Sequence, residues 1–185
     1  MDEPTIAFLD TKQFENGKCI RGAVLVTDCA TGPLEFRCTS PIRPTTLQTV
    51  LWGGRLTAHV ATKLVGKPLV ESLNNKCSII IVRKPEFIEL RPLVELPLIQ
   101  LLRQEELAMA SELASDGDDD DTLASPTQRF EPVVLKVHRR FPDDRGAAKE
   151  LLADTFSSHN ILEPFERIST ALDIVHEQES GKPGR

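Results

Sequence analysis

Apolar and polar positions along the chain predict a strand-rich first half and a helical end. Thr5 to Leu9 is a short apolar run closed by Asp10, and it predicts an opening strand. Asn16-Gly17 marks a turn. Gly22 to Thr27 predicts a second strand. Leu34 to Thr39 alternates cleanly and predicts a third, with one wet face. Pro41 and Pro44 end this run, and Thr45 or Thr46 can cap a helix. Leu47, Val50, Leu51, Leu56, Val60, Leu64 and Val65 recur at helical spacing. Gly53-Gly54 interrupts that helix, as a close crossing with the sheet or as a break between two helices.

Cys77 to Val82 is apolar without alternation, which predicts a central strand ending at Lys84-Pro85. Phe87 to Leu90 predicts a short turn. In Pro92 to Leu102, Pro97 forbids a continuous central strand or helix. The expectation is an edge strand followed by a helix from about Ile99 to Leu113. Residues 114–128 predict a mobile acidic linker or loop. Val133 to Val137 predicts a last strand, and two helices follow over Gly146–Thr155 and Ile161–Glu177. Ile161, Phe165, Ile168, Leu172 and Val175 share the apolar face of the second helix.

The expected fold is α/β, a single mixed sheet of about five strands that opens with antiparallel strands and carries packed helices. The order resembles a ribonuclease-H-like topology, although order alone also suits other mixed α/β folds. The main portion spans 1–113, the linker 114–128, and a strand and two helices over 129–179 complete the same domain. Residues 180–185 form a polar tail expected to fray.

Composition sharpens this picture in one respect. The 185 residues carry 22 Lys+Arg and 28 Asp+Glu, a formal charge of −6. Residues 1–110 hold thirteen basic and twelve acidic side chains, and residues 128–185 hold nine and ten. Residues 111–127 hold six acids and no base, so this short segment supplies the excess. Deleting 114–127 is therefore expected to leave the fold intact. The overall charge disfavours a generic polyanion binder but leaves room for a local basic patch. The Met-Asp-Glu-Pro start is no secretory signal, and no window approaches the roughly 20 apolar residues of a membrane span. A cytoplasmic protein is expected, with Cys19, Cys29, Cys38 and Cys77 as reduced, mostly buried thiols.

Candidate chemistry is sparse. Asp10 and Asp28 end the first two strands, and carboxylates at strand ends can converge on Mg²⁺. A ribonuclease-H-like site would also want acids on the first helix and the fourth strand, yet residues 45–65 and 77–84 contain none; Glu71 lies after the helix and Glu86 beyond the strand. The bland alternative makes Asp10 and Asp28 turn formers. The run Asp118 to Asp121 does not make an EF-hand, because position twelve from Asp116 is Thr127. No HExxH, phosphate loop or GxSxG is present. No metal site and no cofactor are expected, with Mg²⁺ needed only if the acids converge. Lys136, His138, Arg139, Arg140 and Arg145 form the best basic patch, which Arg37, Arg43 and Arg55 could extend if the sheet edges meet.

The expected function is a non-catalytic protein-interaction or accessory subunit, binding another protein or a second copy through Leu93, Val94, Leu96 and Leu98. The alternatives are a metal-dependent nucleic-acid phosphodiesterase of ribonuclease-H-like fold and a non-catalytic nucleic-acid-binding domain.

Overall fold

The computed structural model describes residues 3–111 and 121–181, with the backbone alone at 108–111. The opening apolar run extends into β1 (Ile6–Phe14). It turns through residues 15–17, with Asn16 and Gly17 at positive φ, into β2 (Cys19–Thr27). β3 (Pro33–Cys38) follows, so the first three strands form an antiparallel meander. α1 (Thr46–Trp52) starts at a capping box in which Thr45 Oγ1 accepts from Gln48 N and Gln48 Oε1 from Thr45 N.

Gly53, at φ +51°, stops α1. Added Cβ atoms at Gly53 and Gly54 would meet nothing within 4 Å, so the pair is a break and not a crossing. A 3-10 turn (Gly53–Arg55) leads into α2 (Leu56–His59), a π-helical stretch (Val60–Gly66) and α3 (Lys67–Glu71). The close crossing falls at Gly22, where a Cβ would lie 2.0 Å from Val65 Cγ1.

β4 (Ile79–Val82) is fully buried and pairs parallel with β1. A 3-10 segment (Pro85–Leu93) returns the chain to β5 (Leu98–Arg103), which pairs parallel with β4. α4 (Gln104–Ser111), β6 (Thr122–Leu123), β7 (Val133–Val137), α5 (Asp144–Ser158) and α6 (Glu163–Ser180) complete the chain. The sheet order is β3-β2-β1-β4-β5-β7-β6. This is the expected mixed α/β sheet, with seven strands and not five.

Alternate residues of the central strands feed two cores, as the period of two requires. Ile6, Phe8, Ile79, Ile81, Ile99 and Leu101 face α5 and α6. Phe8 meets Phe165 of α6 edge-on, with ring centroids 5.5 Å apart. Ala7, Leu9, Ile80, Val82 and Leu98 face the π-helical stretch and the 85–93 segment. Arg91 joins these layers. Its guanidinium grips buried Asp144 at 2.5 and 3.1 Å, and Asp144 also accepts from Leu98 N at 3.1 Å.

Two expectations are corrected here. β5 is an inner strand, and the helix begins at Gln104 instead of Ile99. Pro97 lies just outside the strand, where its missing N–H is not needed and its carbonyl accepts from Ile80 N at 2.9 Å. The loop expected over 114–128 falls partly outside the described residues, and its described end is anchored. Thr122–Leu123 pairs with β7, Leu123 is buried, and Ser125 donates to Phe156 O at 2.9 Å. Among the cysteines only Cys19 is buried; the other three are half-buried, and none is in a disulfide. Among the described residues no helix is long and apolar enough to cross a membrane.

Deleting 114–127 therefore removes core anchors together with acids. Leu123→Ala is expected to cost about 2 kcal/mol, in line with other buried leucine truncations. The 114–127 deletion should cost at least as much. Chemical denaturation checks both, and an unchanged midpoint in the deletion would show that β6 contributes nothing.

Glu35 on β3 supplies a pH signature. Burial raises its pKa, but the Asn75 backbone N–H, the Arg37 guanidinium, the Asn75 amide and the Asn74 N–H outweigh burial and hold it down to about 2. The folded value lies below the ordinary 4.5, so this contribution is full above pH 4.5 and is lost as pH falls toward 2. Thermal melts should show wild type losing more stability than Glu35→Gln between pH 5 and pH 2. Parallel curves would refute the role.

Candidate active site

The parallel pairing of β1, β4 and β5 stops at one edge of the sheet, and ligands of open α/β sheets bind at such carboxyl ends. β1 itself continues to Phe14 against β2, so Asp10 lies within the strand and does not end it as expected. Two adjoining cavities lie along this edge, of about 460 and 420 Å³. Asp10, Lys84 and Ser169 line both, so the pair reads as one groove. Thr57, Val60 and Ala61 wall one end, and Arg103, Glu106 and Phe165 wall the other.

Asp10 shares the strand face of Ile6 and Phe8, and its carboxylate is mostly enclosed. Oδ1 accepts from Thr11 N at 2.7 Å and pairs with Lys84 Nζ at 3.0 Å. Lys84 also donates to Thr11 Oγ1 at 3.1 Å and to Thr11 O. Register explains the meeting. Leu9 stands opposite Val82, so the continued register sets Arg83 level with Asp10 and Lys84 level with Thr11, one residue from Asp10. Lys12, two residues on and on the same face as Asp10, reaches α6. It donates to Ser169 Oγ at 2.8 Å and pairs with Asp173 at 2.7 Å. Arg83 holds Glu106, whose other oxygen accepts from Arg103 N at 2.8 Å.

The two aspartates do not converge. β2 runs against β1 with Asp10 opposite Ala23, so Asp28 lies five residues further along β2 toward the opposite edge. At ~3.3 Å per residue that is about 16 Å away. Asp28 instead caps its turn, accepting from Gly32 N at 2.7 Å. Glu71 ends α3, exposed, and pairs with Lys67 at 3.6 Å.

The basic patch divides. Lys136 and His138 share a strand face, but His138 is buried, accepting from Arg140 N at 3.2 Å. Arg145 is paired with Asp121 at 2.7 Å, which leaves Arg139 and Arg140 exposed. β7 runs antiparallel to β5, so these arginines sit at the edge opposite the groove. Arg37 lies on β3, at the far side of the sheet, and pairs with Glu35. Arg43 pairs with Glu15, so neither extends the patch. Leu98 is fully buried, and Leu93, Val94 and Leu96 pack against the second core, so the chain itself covers much of that surface. Among the described residues the exposed large apolar side chains lie elsewhere: Leu47, Val50, Leu51 and Trp52 on α1, Leu34 and Phe36 on β3, Leu64 in the π-helical stretch and Ile174 on α6.

Lys12, Arg83, Lys84 and Ser169 carry no motif in the sequence. A usable signal was the position of Arg83-Lys84 directly after the most apolar strand, where the carboxyl end of a central parallel strand falls.

A ribonuclease-H-like layout implies a divalent metal held by several carboxylates. The donor set here does not fit one. Asp10 is already neutralised by Lys84, and among the described residues no three His, Cys, Asp or Glu side chains come together as ligands.

No protein-family model matches the sequence, and no curated protein matches it. Solved structures do. An endonuclease V from Streptomyces avermitilis matches with a TM-score of 0.58 at 15% identity, over 97% of this chain and 87% of that one. The catalytic domain of human endonuclease V matches with 0.58 at 13% identity, over 97% and 85%. The Bacillus subtilis endonuclease V matches with 0.56 at 9% identity, over 96% and 82%. The expectation of a non-catalytic accessory subunit rested on finding no catalytic frame in the sequence. It is overturned by these matches, which run nearly end to end along nuclease domains. The chain has a mixed α/β fold of the ribonuclease-H-like kind that these endonucleases share.

Proposed function

We propose that the chain is a nucleic-acid phosphodiesterase that takes a strand along the groove at the carboxyl edge of β1, β4 and β5. One observation carries the reading. The nuclease-type fold extends over nearly the whole chain, and its sheet edge presents Asp10 where two cavities join. The groove walls offer the parts that hydrolysis of a phosphodiester needs. Asp10 accepts a proton from the attacking water as the new P–O bond forms and the bond to the departing oxygen breaks, and that oxygen takes its proton from solvent as it leaves. Lys12 and Arg83 offset charge on the phosphate oxygens. Both cations now hold carboxylates of α6 and α4, which a phosphate would displace.

The test is a panel of end-labelled single-stranded DNA, duplex DNA and RNA, with wild type and Asp10→Asn. Wild type should release shorter products from at least one substrate, and Asp10→Asn should lower that rate by about 10²-fold or more. Binding should weaken as salt rises, because phosphate contacts release counterions. Strands that are bound but never cut would overturn the phosphodiesterase reading, and strands neither bound nor cut would remove nucleic acid as the ligand.

A further inference from the structure

We infer that the Lys84 ammonium is the resident cation of this groove, and that a nucleic-acid strand is taken there with no divalent metal at Asp10; the second half rests on the phosphodiesterase reading. Three oxygens surround Lys84 Nζ: a carboxylate oxygen of Asp10, the hydroxyl of Thr11 and the backbone carbonyl of Thr11. These are the hard oxygen donors that Mg²⁺ would take. A lysine ammonium has three protons, and here it meets three acceptors, so the cradle is filled. A metal ion at Asp10 would have to displace a positive charge tethered to the adjacent strand.

The neighbouring carboxylates repeat the arrangement. Asp173 is held by Lys12 and Glu106 by Arg83, so these two carboxylates and Asp10 each have a cation of the chain as partner, while Glu86 and Glu166 line the cavities outside these pairs. Without a phosphate on Lys12 and Arg83, recruiting any two of Asp10, Glu106 and Asp173 to one metal would break two ion pairs and leave two cations unmatched; the Asp10–Lys84 pair holds whether or not a strand is bound to those two. Local register sustains this. Asp10 and Lys12 lie on one face of β1, and Arg83 and Lys84 leave β4 level with Asp10 and Thr11. Asp10, Glu106 and Asp173 are therefore each matched by a base, where a metal site would gather acids.

The experiment uses the full chain. Mn²⁺ is titrated into wild type, Asp10→Asn, Lys84→Met and the double variant, read by paramagnetic enhancement of water proton relaxation. In parallel, the anisotropy of labelled DNA and RNA is measured in EDTA and in Mg²⁺. Wild type and Asp10→Asn should give the same Mn²⁺ curve, with no stoichiometric site tighter than about 1 mM. Lys84→Met should take up more Mn²⁺ than wild type, and Asp10→Asn in the same chain should remove the gain. Strand binding in EDTA should be at least as tight as in Mg²⁺. A stoichiometric Mn²⁺ site in wild type that Asp10→Asn abolishes would overturn the inference, whatever the strand does. So would strand binding that EDTA eliminates. Wild type alone decides the metal question if Lys84→Met does not fold. If wild type takes up no Mn²⁺ and binds no strand, the ammonium assignment stands and the nucleic-acid reading falls.

Discussion

Three parallel strands buried on both faces govern this molecule. β1, β4 and β5 carry apolar side chains above and below the sheet, so helical layers must cover both sides. That demand places α5 and α6 on one face and the 56–71 helical stretch with the 85–93 segment on the other. It also brings the three carboxyl ends to one edge. The groove lies where Asp10, Arg83-Lys84 and Arg103 follow the parallel pairing, between the 57–61 stretch on one face and α6 on the other.

The edge is organised by charge pairing more than by burial. Lys12 ties β1 to α6, Lys84 ties β4 to β1, and Arg83 ties β4 to α4. These pairs are partly exposed, where an ion pair contributes little to stability, about 0–1 kcal/mol each. Their consequence lies in geometry. They orient polar side chains inside a groove whose floor is sheet edge and whose walls are helices. Elsewhere, the same logic appears in buried form. Arg21 of β2, 1% exposed, donates to His176 Nδ1 at 3.2 Å and pairs with Glu179, clasping the end of α6 to the hairpin. Arg91 and Asp144 fasten the opposite side of the molecule.

This edge differs from an acid-rich metal site in its donors. The fold supplies the place, and the side chains at the strand ends supply the chemistry. A lysine after β4 changes what Asp10 can hold, since a carboxylate already matched by an ammonium offers a metal little net attraction. The absence of acids from residues 45–65 and 77–84 was visible before any geometry, and the structure adds the cations that stand among the remaining ones.

Local elements were readable because their causes are local. A cap at Thr45 or Thr46, an interruption at Gly53-Gly54, the turn at Asn16-Gly17 and the buried run ending at Val82 each follow from a few adjacent side chains. The two-faced apolar character of Ile79 to Val82 likewise identified a central strand. β5 was misjudged because Pro97 forbids a strand through itself yet allows one that begins just after it, and only the partner carbonyl and amide positions distinguish these. The short β6 has too few residues for a pattern. The site was the least legible part. Asp10 and Asp28 look equivalent along the chain, each closing a strand, but antiparallel pairing sends them to opposite edges. Asp10 and Lys84 lie 74 positions apart in sequence and 3.0 Å apart in space, a meeting set by the parallel register of β1 and β4. Periodicity reports which face a residue takes; pairing between distant strands decides which residues share an edge.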